Sequence, residues 1–325
     1  MFRLCTLLLC LLAGLSGCCC PQRYNIGTAP PPLPTCLPVP QQVRLALVLG
    51  GGGAKGLAHV GVIEELEAAH IPIDLVIGCS AGSIVGALYC DDPSVEELKE
   101  TLLSMKTSVL VDLDVWNAKY GLCQGRSLRR FLCKNLTART FEELKKPFFL
   151  VTTDLYTSEL VTLGGGPLIP AIEASSSIPF VFVPVYLHGR AFVDGGTIDP
   201  VPVRTAEYFN PEVIVAVDLR GLLPRTFPTN LFGVATRSAE ITLLWQSECC
   251  LLGADVVIRP ELCQFGTFEE DKNEQIYQAG KDAARKAIPK IIACLKQKAG
   301  IQEDVVMRDF ESECLLIEGD HPDEE

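Results

Sequence analysis

Two glycine-rich turns constrain the fold of this 325-residue chain more strongly than any other feature. The first is Gly51-Gly52-Gly53-Ala54-Lys55-Gly56, and the second is Gly78-Cys79-Ser80-Ala81-Gly82. Each follows an apolar stretch, residues 43–49 and 73–77, that is typical of a buried parallel strand. Each precedes a stretch that favours a helix, residues 58–69 and 83–89. Strand, turn and helix repeated in this order predict an α/β fold with a mostly parallel sheet covered by helices on both faces.

The second turn matches the Gly-x-Ser-x-Gly pattern of a nucleophile elbow. Such a turn exposes the hydroxyl of Ser80 at the start of a helix, and the flanking Gly78 and Gly82 leave room for a strained backbone. An ordinary strand-to-helix turn with a serine near the N-cap has the same pattern. Both interpretations stay open on this turn alone.

The first turn also has two interpretations. The spacing of Gly51, Gly53 and Gly56 satisfies the dinucleotide-binding fingerprint. That site needs an acidic residue near the end of the second strand, whereas Asp74 lies at its start. We therefore favour an oxyanion hole, in which backbone N–H groups of Gly51, Gly52 and Gly53 stabilise a developing negative charge beside a helix start.

A nucleophilic serine also needs a base. None of the four histidines, His59, His70, His188 and His321, has a distinctive setting, and each is interpreted as a surface or structural residue. Asp194 is the better candidate, because it ends the apolar run 191–193 and opens a turn at Gly195-Gly196. Taken alone, Asp-Gly-Gly is only a turn signal.

The three segments, in this order and spacing, resemble the motifs of the patatin-like phospholipase family. Its members carry Gly-Gly-Gly-x-Lys/Arg-Gly, then Gly-x-Ser-x-Gly, then Asp-Gly-Gly or Asp-Gly-Ala. Residues 174–179 (Ala-Ser-Ser-Ser-Ile-Pro) are similar to the family segment that precedes the aspartate, and residues 256–260 resemble the closing part of bacterial members. The resemblance covers about residues 43–298.

The resemblance implies a single patatin-like domain and a Ser80–Asp194 dyad that works without histidine, metal or cofactor. Lys55 matches the family's basic position, either as a surface cation or as a contact for a lipid phosphate. The other matching glycines support the motifs: Gly56, Gly78, Gly82, Gly195 and Gly196. The implied substrate is membrane phospholipid or another acyl-ester lipid.

The first residues carry a separate signal. A short basic start is followed by an apolar stretch, residues 4–15, that is too short to span a bilayer. Leu15-Ser16-Gly17-Cys18 resembles the lipobox of bacterial lipoproteins, which implies removal of residues 1–17 and lipidation of Cys18. The protein would then be membrane-anchored in the bacterial cell envelope, facing away from the cytoplasm. A plain secretory signal and a cysteine-rich buried N-terminus are the alternatives.

Composition completes the predicted organisation. Residues 18–42 predict a proline-rich tether, residues 43–298 the catalytic domain, and residues 299–325 a flexible acidic tail. The net charge of −12 argues against a nucleic-acid partner. The fifteen cysteines permit disulfides in an oxidising compartment, but the sequence does not pair them, and no cysteine spacing resembles a zinc site. Cys79 is interpreted as a small buried thiol.

We therefore expect a lipid acyl hydrolase of the phospholipase A or lysophospholipase type. A general esterase or thioesterase, and a non-catalytic lipid-binding envelope lipoprotein, remain open. The apolar segment 102–116 could line an acyl pocket, although core packing is the favoured interpretation. The sequence does not indicate the oligomeric state.

Overall fold

The computed structural model describes residues 42–105, 110–114, 116, 118–220, 227–265 and 272–317, and for residues 232, 236 and 300–317 it describes the backbone only. The predicted leader and lipidation site, and all of the tether except residue 42, lie outside these residues. The described part contains one mixed sheet. Its strands are β1 (Leu45–Leu49), β2 (Leu75–Gly78), β3 (Phe148–Asp154), β4 (Leu160–Leu163), β5 (Val185–Leu187), β6 (Arg190–Asp194), β7 (Val213–Val217) and β8 (Val256–Ile258).

The sheet is mostly parallel, as predicted. Its order is β5-β6-β3-β2-β1-β7-β8, with β4 also paired to β3. Five strands that are neighbours in this order run parallel to one another: β3, β2, β1, β7 and β8. The remaining strands pair antiparallel with β3 or with each other. Strands β1, β2 and β7 are buried along their whole length, which explains their uninterrupted apolar sequences.

Helices cover both faces of the sheet, and the alternating side chains of β1 pack into a core on each face. Leu45, Leu47 and Leu49 pack into one apolar core, while Ala46 and Val48 pack into the second core on the opposite face. The helices are α1 (Leu57–Ala68), α2 (Ala81–Asp91), α3 (Val95–Leu103), α4 (Arg126–Asn135), α5 (Leu168–Ser175), α6 (Val203–Glu207), α7 (Leu231–Cys250) and α8 (Asn273–Ile317). The α/β fold class is confirmed.

Strand order places three chain segments at one edge of the sheet. Strands β2 and β3 lie on one side of β1, whereas β7 and β8 lie on its other side. The loops that follow β1, β2 and β7 therefore meet at the carboxyl edge where the strand order reverses, which is the usual ligand position in open α/β sheets. Both glycine-rich turns lie at this edge.

The structure describes the backbone of part of the predicted acidic tail. The sequence predicted a flexible tail from residue 299, and the backbone of α8 is helical to Ile317. The acidic composition suggested a solvated tail, yet residues 301–317 contain neither proline nor glycine and so lack a helix-breaking residue. Residues 318–325 lie outside the described residues.

Two further findings concern cysteines and membranes. Eight cysteines with described side chains are all free thiols, and Cys79 is fully buried as predicted. Within the described ranges, no helix combines the length and the apolar composition that a membrane crossing requires.

Candidate active site

Ser80 lies between the end of β2 and the start of α2, in the sharp turn that the sequence predicted. Its backbone has φ 52° and ψ −118°, so it occupies a region that non-glycine residues rarely adopt. Strain of this kind is typical of a nucleophile elbow, which holds the hydroxyl clear of the sheet. The side chain is only 6% exposed.

The glycines of the motifs allow the elbow to pack closely. A Cβ built on Gly82 would lie only 2.0 Å from the carbonyl oxygen of Leu49, so α2 could not approach β1 with any larger residue there. The same test gives contacts of 2.8 Å for Gly56 with Ala81, 2.6 Å for Gly78 with Ser83, 2.4 Å for Gly195 with Val151 and 3.0 Å for Gly196 with Asp194. All five predicted supporting glycines therefore lie where neighbouring segments meet.

Three serines fix the backbone of Ser80. Its N–H donates to the hydroxyl of Ser175 over 3.1 Å. Its carbonyl oxygen accepts from the hydroxyl of Ser83 over 2.6 Å and from that of Ser176 over 3.3 Å. Ser175 and Ser176 belong to the segment that the sequence analysis noted for its family resemblance, but their contacts depend on tertiary packing and had no signal of their own.

Asp194 meets Ser80 directly. It ends β6, whose antiparallel pairing with β3 brings the carboxylate to the edge that carries the elbow. The Ser80 hydroxyl donates to Oδ2 of Asp194 over 2.5 Å, and the N–H of Gly196 donates to Oδ1 over 2.7 Å. The two predicted residues are therefore brought together, and no histidine contributes to this contact.

Burial makes Asp194 a stronger base than an aspartate in water. Desolvation raises its pKa from 3.8 to about 6, although the hydrogen bonds from Ser80 and Gly196 and the charge of Arg220 oppose the rise. The carboxylate is thus ionised at neutral pH, while its proton affinity is nearer to that of a useful general base.

The glycine loop supplies free donors beside Ser80, but at two positions rather than three. The N–H of Gly51 donates to the carbonyl oxygen of Pro200 over 2.9 Å, so the prediction that it belongs to the oxyanion hole is wrong. The N–H groups of Gly52 and Gly53 have no acceptor among the described residues. Gly51 instead permits close packing, because a Cβ there would lie 3.3 Å from that of Ser80.

His59 stabilises the glycine loop through a hydrogen bond. Its ring is fully buried, and Nε2 donates to the carbonyl oxygen of Gly50 over 2.8 Å. Burial lowers the pKa of His59 to about 4, so the ring is neutral at physiological pH. The structural role predicted for this histidine is confirmed. Among the described residues, no histidine lines the spaces around Ser80.

The part of the chain that contains Ser80 and Asp194 matches a known protein family. A family model described as a patatin-like phospholipase matches residues 47–207, which include the glycine loop, the elbow and Asp194. The chain belongs to the patatin-like phospholipase family.

Three comparisons describe how far the patatin-like chain resembles known proteins. Patatin-like phospholipase domain-containing protein 6 of Mus musculus is 34% identical over 54% of this chain and 13% of that protein. Lysophospholipase nte1 of Aspergillus fumigatus is 28% identical over 76% of this chain and 18% of that protein. The chain therefore spans less than a fifth of the length of either relative. The crystal structure of VipD from Legionella pneumophila shares the fold, with a TM-score of 0.51 and 13% identity over 80% of this chain and 68% of that one.

Two spaces meet at Ser80 in the patatin-like domain. The first is a narrow apolar cavity of about 90 Å³, lined by the elbow and by Leu57, Ile84, Leu102, Leu110 and Phe182 among others. The second is a wider cleft of about 470 Å³, a size within the range of small-molecule sites. Both contain Gly53, Ser80 and Ile178. Part of the segment 102–116 thus lines a cavity, although core packing was the favoured interpretation.

The cleft contains two cations. Lys55, at the family's basic position, lines it together with Arg220, which follows β7. Burial lowers the pKa of Lys55, and the nearby charge of Arg220 lowers it further, while Glu240 opposes this effect. Nε of Arg220 is buried and has no hydrogen-bond partner in the described part of the chain. Sequence reasoning missed Arg220, because a single arginine after a strand has no distinctive pattern.

The described residues offer no obvious metal centre. No group of three or more His, Cys, Asp or Glu side chains is arranged to hold an ion in the ranges that the structure covers. What the site brings together is an alcohol, a carboxylate, two amide donors and two cations.

Proposed function

We propose that this protein hydrolyses carboxylic esters of lipids, as a phospholipase A or lysophospholipase, through a Ser80–Asp194 dyad. One observation carries the proposal: the Ser80 hydroxyl lies 2.5 Å from Asp194, at the junction of an apolar cavity and a cationic cleft. The names of the relatives, a patatin-like phospholipase domain-containing protein and a lysophospholipase, support the same class of substrate.

Acylation of the serine is the first step. Oγ of Ser80 attacks the ester carbonyl carbon, while Asp194 accepts the hydroxyl proton. The carbonyl oxygen becomes an oxyanion, which the N–H groups of Gly52 and Gly53 stabilise. One such donor is typically worth about 3 to 4 kcal/mol in the transition state. When the tetrahedral intermediate collapses, the ester C–O bond breaks and Asp194 returns the proton to the leaving alcohol.

Deacylation repeats the chemistry with water. Asp194 accepts a proton from a water molecule, whose oxygen attacks the acyl carbon. The bond to Ser80 Oγ then breaks, Asp194 gives the proton back to Oγ, and a fatty acid leaves. The raised pKa of Asp194 helps in both directions, because the group must take up and release a proton in each half-reaction.

The two spaces give the substrate a direction. The first carbons of an acyl chain would enter the apolar cavity of about 90 Å³ beside Leu102 and Phe182, whereas the leaving group would lie in the cleft. Lys55 and Arg220 would then face a phosphate in that group, since Nε of the buried guanidinium has an unused N–H donor. This arrangement favours a phospholipid or lysophospholipid over a neutral ester.

Substitution of the dyad tests the proposal. Ser80→Ala should lower hydrolysis of lysophosphatidylcholine by at least about a thousandfold and abolish labelling by a fluorophosphonate probe. Ser177→Ala is a matched control, because the hydroxyl of Ser177 is also buried but donates to the carbonyl oxygen of Glu173. The substitution keeps the Ser177 carbonyl oxygen, which accepts from the N–H of Asp194 over 2.9 Å. Unchanged turnover in Ser80→Ala would refute the assignment.

Paired substrates separate the alternatives. A phospholipase should prefer micellar phospholipid, whereas a general esterase should prefer short soluble esters or thioesters. A protein that binds lipid vesicles but neither turns over any ester nor reacts with the probe would be a non-catalytic lipoprotein. Phospholipids with different acyl chains at the two glycerol positions would then define positional preference.

We also propose that the enzyme is held in the bacterial cell envelope by lipidation at Cys18 and faces away from the cytoplasm. The lipobox-like residues 15–18 motivate this. Several acyl chains, each contributing about 0.8 kcal/mol per buried CH₂, would anchor the protein firmly. Cys18→Ser should abolish incorporation of labelled palmitate and release the protein from membranes. Persistent incorporation in that variant would refute the site.

A further inference from the structure

Helix α7 presents an unpartnered apolar stripe to solvent. Four large side chains on one face are exposed: Leu231 (87%), Val234 (46%), Ile241 (44%) and Trp245 (71%). Their spacings of three, seven and four residues repeat on the same side of a helix. At 1.5 Å per residue, the stripe is about 21 Å long. We call these four residues the α7 stripe.

The other side of α7 forms a wall of the candidate active site. Glu240, Leu243 and Gln246 line the cleft that contains Ser80, and no residue of the α7 stripe does. The helix is attached near its end, where the amide of Gln246 donates to the carbonyl oxygen of Thr197 over 3.1 Å. One helix therefore faces the cleft on one side and the surroundings of the protein on the other.

A residue of the cleft outside α7 is also apolar and exposed. Phe180 lines the cleft, yet its side chain is 88% exposed. Its backbone has φ 69°, in the left-handed region that is costly for a bulky residue. The carbonyl oxygen of Phe180 accepts from the N–H of Leu122 over 3.2 Å, which helps to hold this conformation. A strained residue that exposes an aromatic ring at the cleft is a candidate contact for a partner.

The charge of this surface is neutral. Residues 231–250 contain three charged side chains: Arg237 and Glu240 pair with each other over 3.2 Å, and Glu248 pairs with Arg259 over 2.9 Å. The protein as a whole carries a net charge of −12. The α7 stripe is thus a neutral apolar region on an otherwise acidic protein, which suits insertion into lipid rather than electrostatic binding.

We infer that the α7 stripe and Phe180 form a docking surface for a lipid bilayer. The helix lies in the plane of the interface with its apolar side chains at the boundary between head groups and acyl chains. The mouth of the cleft then opens onto the lipid, so an ester reaches Ser80 without crossing water. This inference rests on the proposed function, because a lipid substrate explains why exposed apolar groups lie at the cleft.

Vesicle binding tests the surface directly. The background is the full chain with Cys18→Ser, which removes the proposed anchor, and the vesicles are pure phosphatidylcholine. The double variant Ile241→Ser/Trp245→Ser should bind these vesicles at least about tenfold more weakly. Leu231→Ser should have a smaller effect in the same direction. Tyr208→Ser is the matched control, because Tyr208 is 74% exposed but does not line the cleft.

A second readout locates the contact. The chain has two tryptophans, Trp116 and Trp245, so Trp116→Phe leaves one fluorophore on the α7 stripe. Brominated phosphatidylcholine should quench the emission of Trp245 in this variant. In a separate measurement, the double variant Ile241→Ser/Trp245→Ser should still hydrolyse p-nitrophenyl butyrate, a soluble ester. Failure of quenching, equal vesicle binding by the double variant, or loss of its soluble-ester activity would each overturn the inference.

Two other outcomes distinguish lipid docking from dimerisation through α7 and from the proposed hydrolase function. If α7 instead joins two copies, the wild-type protein will be a dimer by light scattering and the double variant a monomer, which would overturn lipid docking. If the wild-type protein binds vesicles through Trp245 but hydrolyses no ester, the docking surface stands and the proposed hydrolase function fails.

Discussion

The buried carboxylate of Asp194 should lower the stability of the fold at neutral pH. Its pKa is raised from 3.8 to about 6, with burial as the main cause. An acid whose pKa is raised by folding binds its proton more tightly in the native state than in the unfolded state. The contribution of Asp194 to stability is therefore greatest below about pH 4, falls as pH rises toward 6, and stays reduced above 6.

The size of this effect follows from the shift. A difference of about 2 pKa units at about 1.4 kcal/mol each gives about 3 kcal/mol. Asp194→Asn removes the charge but keeps the geometry, because the amide oxygen accepts from Gly196 and the amide NH₂ donates to Ser80. We expect this variant to be more stable than the wild type at pH 8 by about 2 to 3 kcal/mol, and nearly equal to it at pH 4.

Urea unfolding of both proteins between pH 4 and pH 8 measures this difference. Asp199 is a necessary control, because burial also raises its pKa to about 6 although it does not contact Ser80. The difference between wild type and Asp194→Asn cancels the contribution of Asp199. An Asp194→Asn protein that is no more stable than the wild type at pH 8 would show that the carboxylate is well solvated, and the reasoning would fail.

Three further predictions follow from the same contacts. The rate of ester hydrolysis should rise tenfold per pH unit below about 6 and level off above it, because Asp194 must be ionised, and Asp199→Asn should leave this pH profile unmoved. Arg220→Gln should raise KM for lysophosphatidylcholine by about tenfold or more while changing KM for p-nitrophenyl butyrate little, since only the former carries a phosphate; equal effects on both would argue against a phosphate contact. Gly82→Ala should lower the free energy of unfolding by about 3 kcal/mol in urea titrations, because its Cβ would lie 2.0 Å from the Leu49 carbonyl oxygen, and a neutral result would mean that α2 shifts freely.

Local sequence predicted the parts of the site that depend on neighbours in the chain. The buried strands before each turn are recognisable because parallel strands covered on both faces are apolar throughout. The hairpin turn at His188-Gly189 is also a local feature, because both of its residues adopt positive φ between β5 and β6. Ser80 and Asp194 were selected as a pair by their motifs.

Contacts between distant segments were beyond local patterns. The N–H of Gly51 is used by Pro200, which is 149 residues away in the chain, so no reading of the glycine run could exclude it from the oxyanion hole. The same holds for Arg220, whose importance comes from its place in a cleft lined also by α7. The helical backbone of α8 as far as Ile317 was also beyond the acidic composition, which indicates solvation rather than backbone conformation.

The hydroxyls around the elbow have a practical consequence. Ser83 and Ser176 donate to the Ser80 carbonyl oxygen, Ser175 donates to that of Val151 and Ser177 to that of Glu173. Each of these four alcohols is engaged with a peptide oxygen that cannot remove its proton, whereas Ser80 faces a carboxylate. Ser247 also donates to a carboxylate, that of Asp218, but it is fully buried and does not line the cleft. An electrophilic phosphonate should therefore modify one serine per molecule, and the amount of label incorporated becomes a count of correctly folded protein in any preparation.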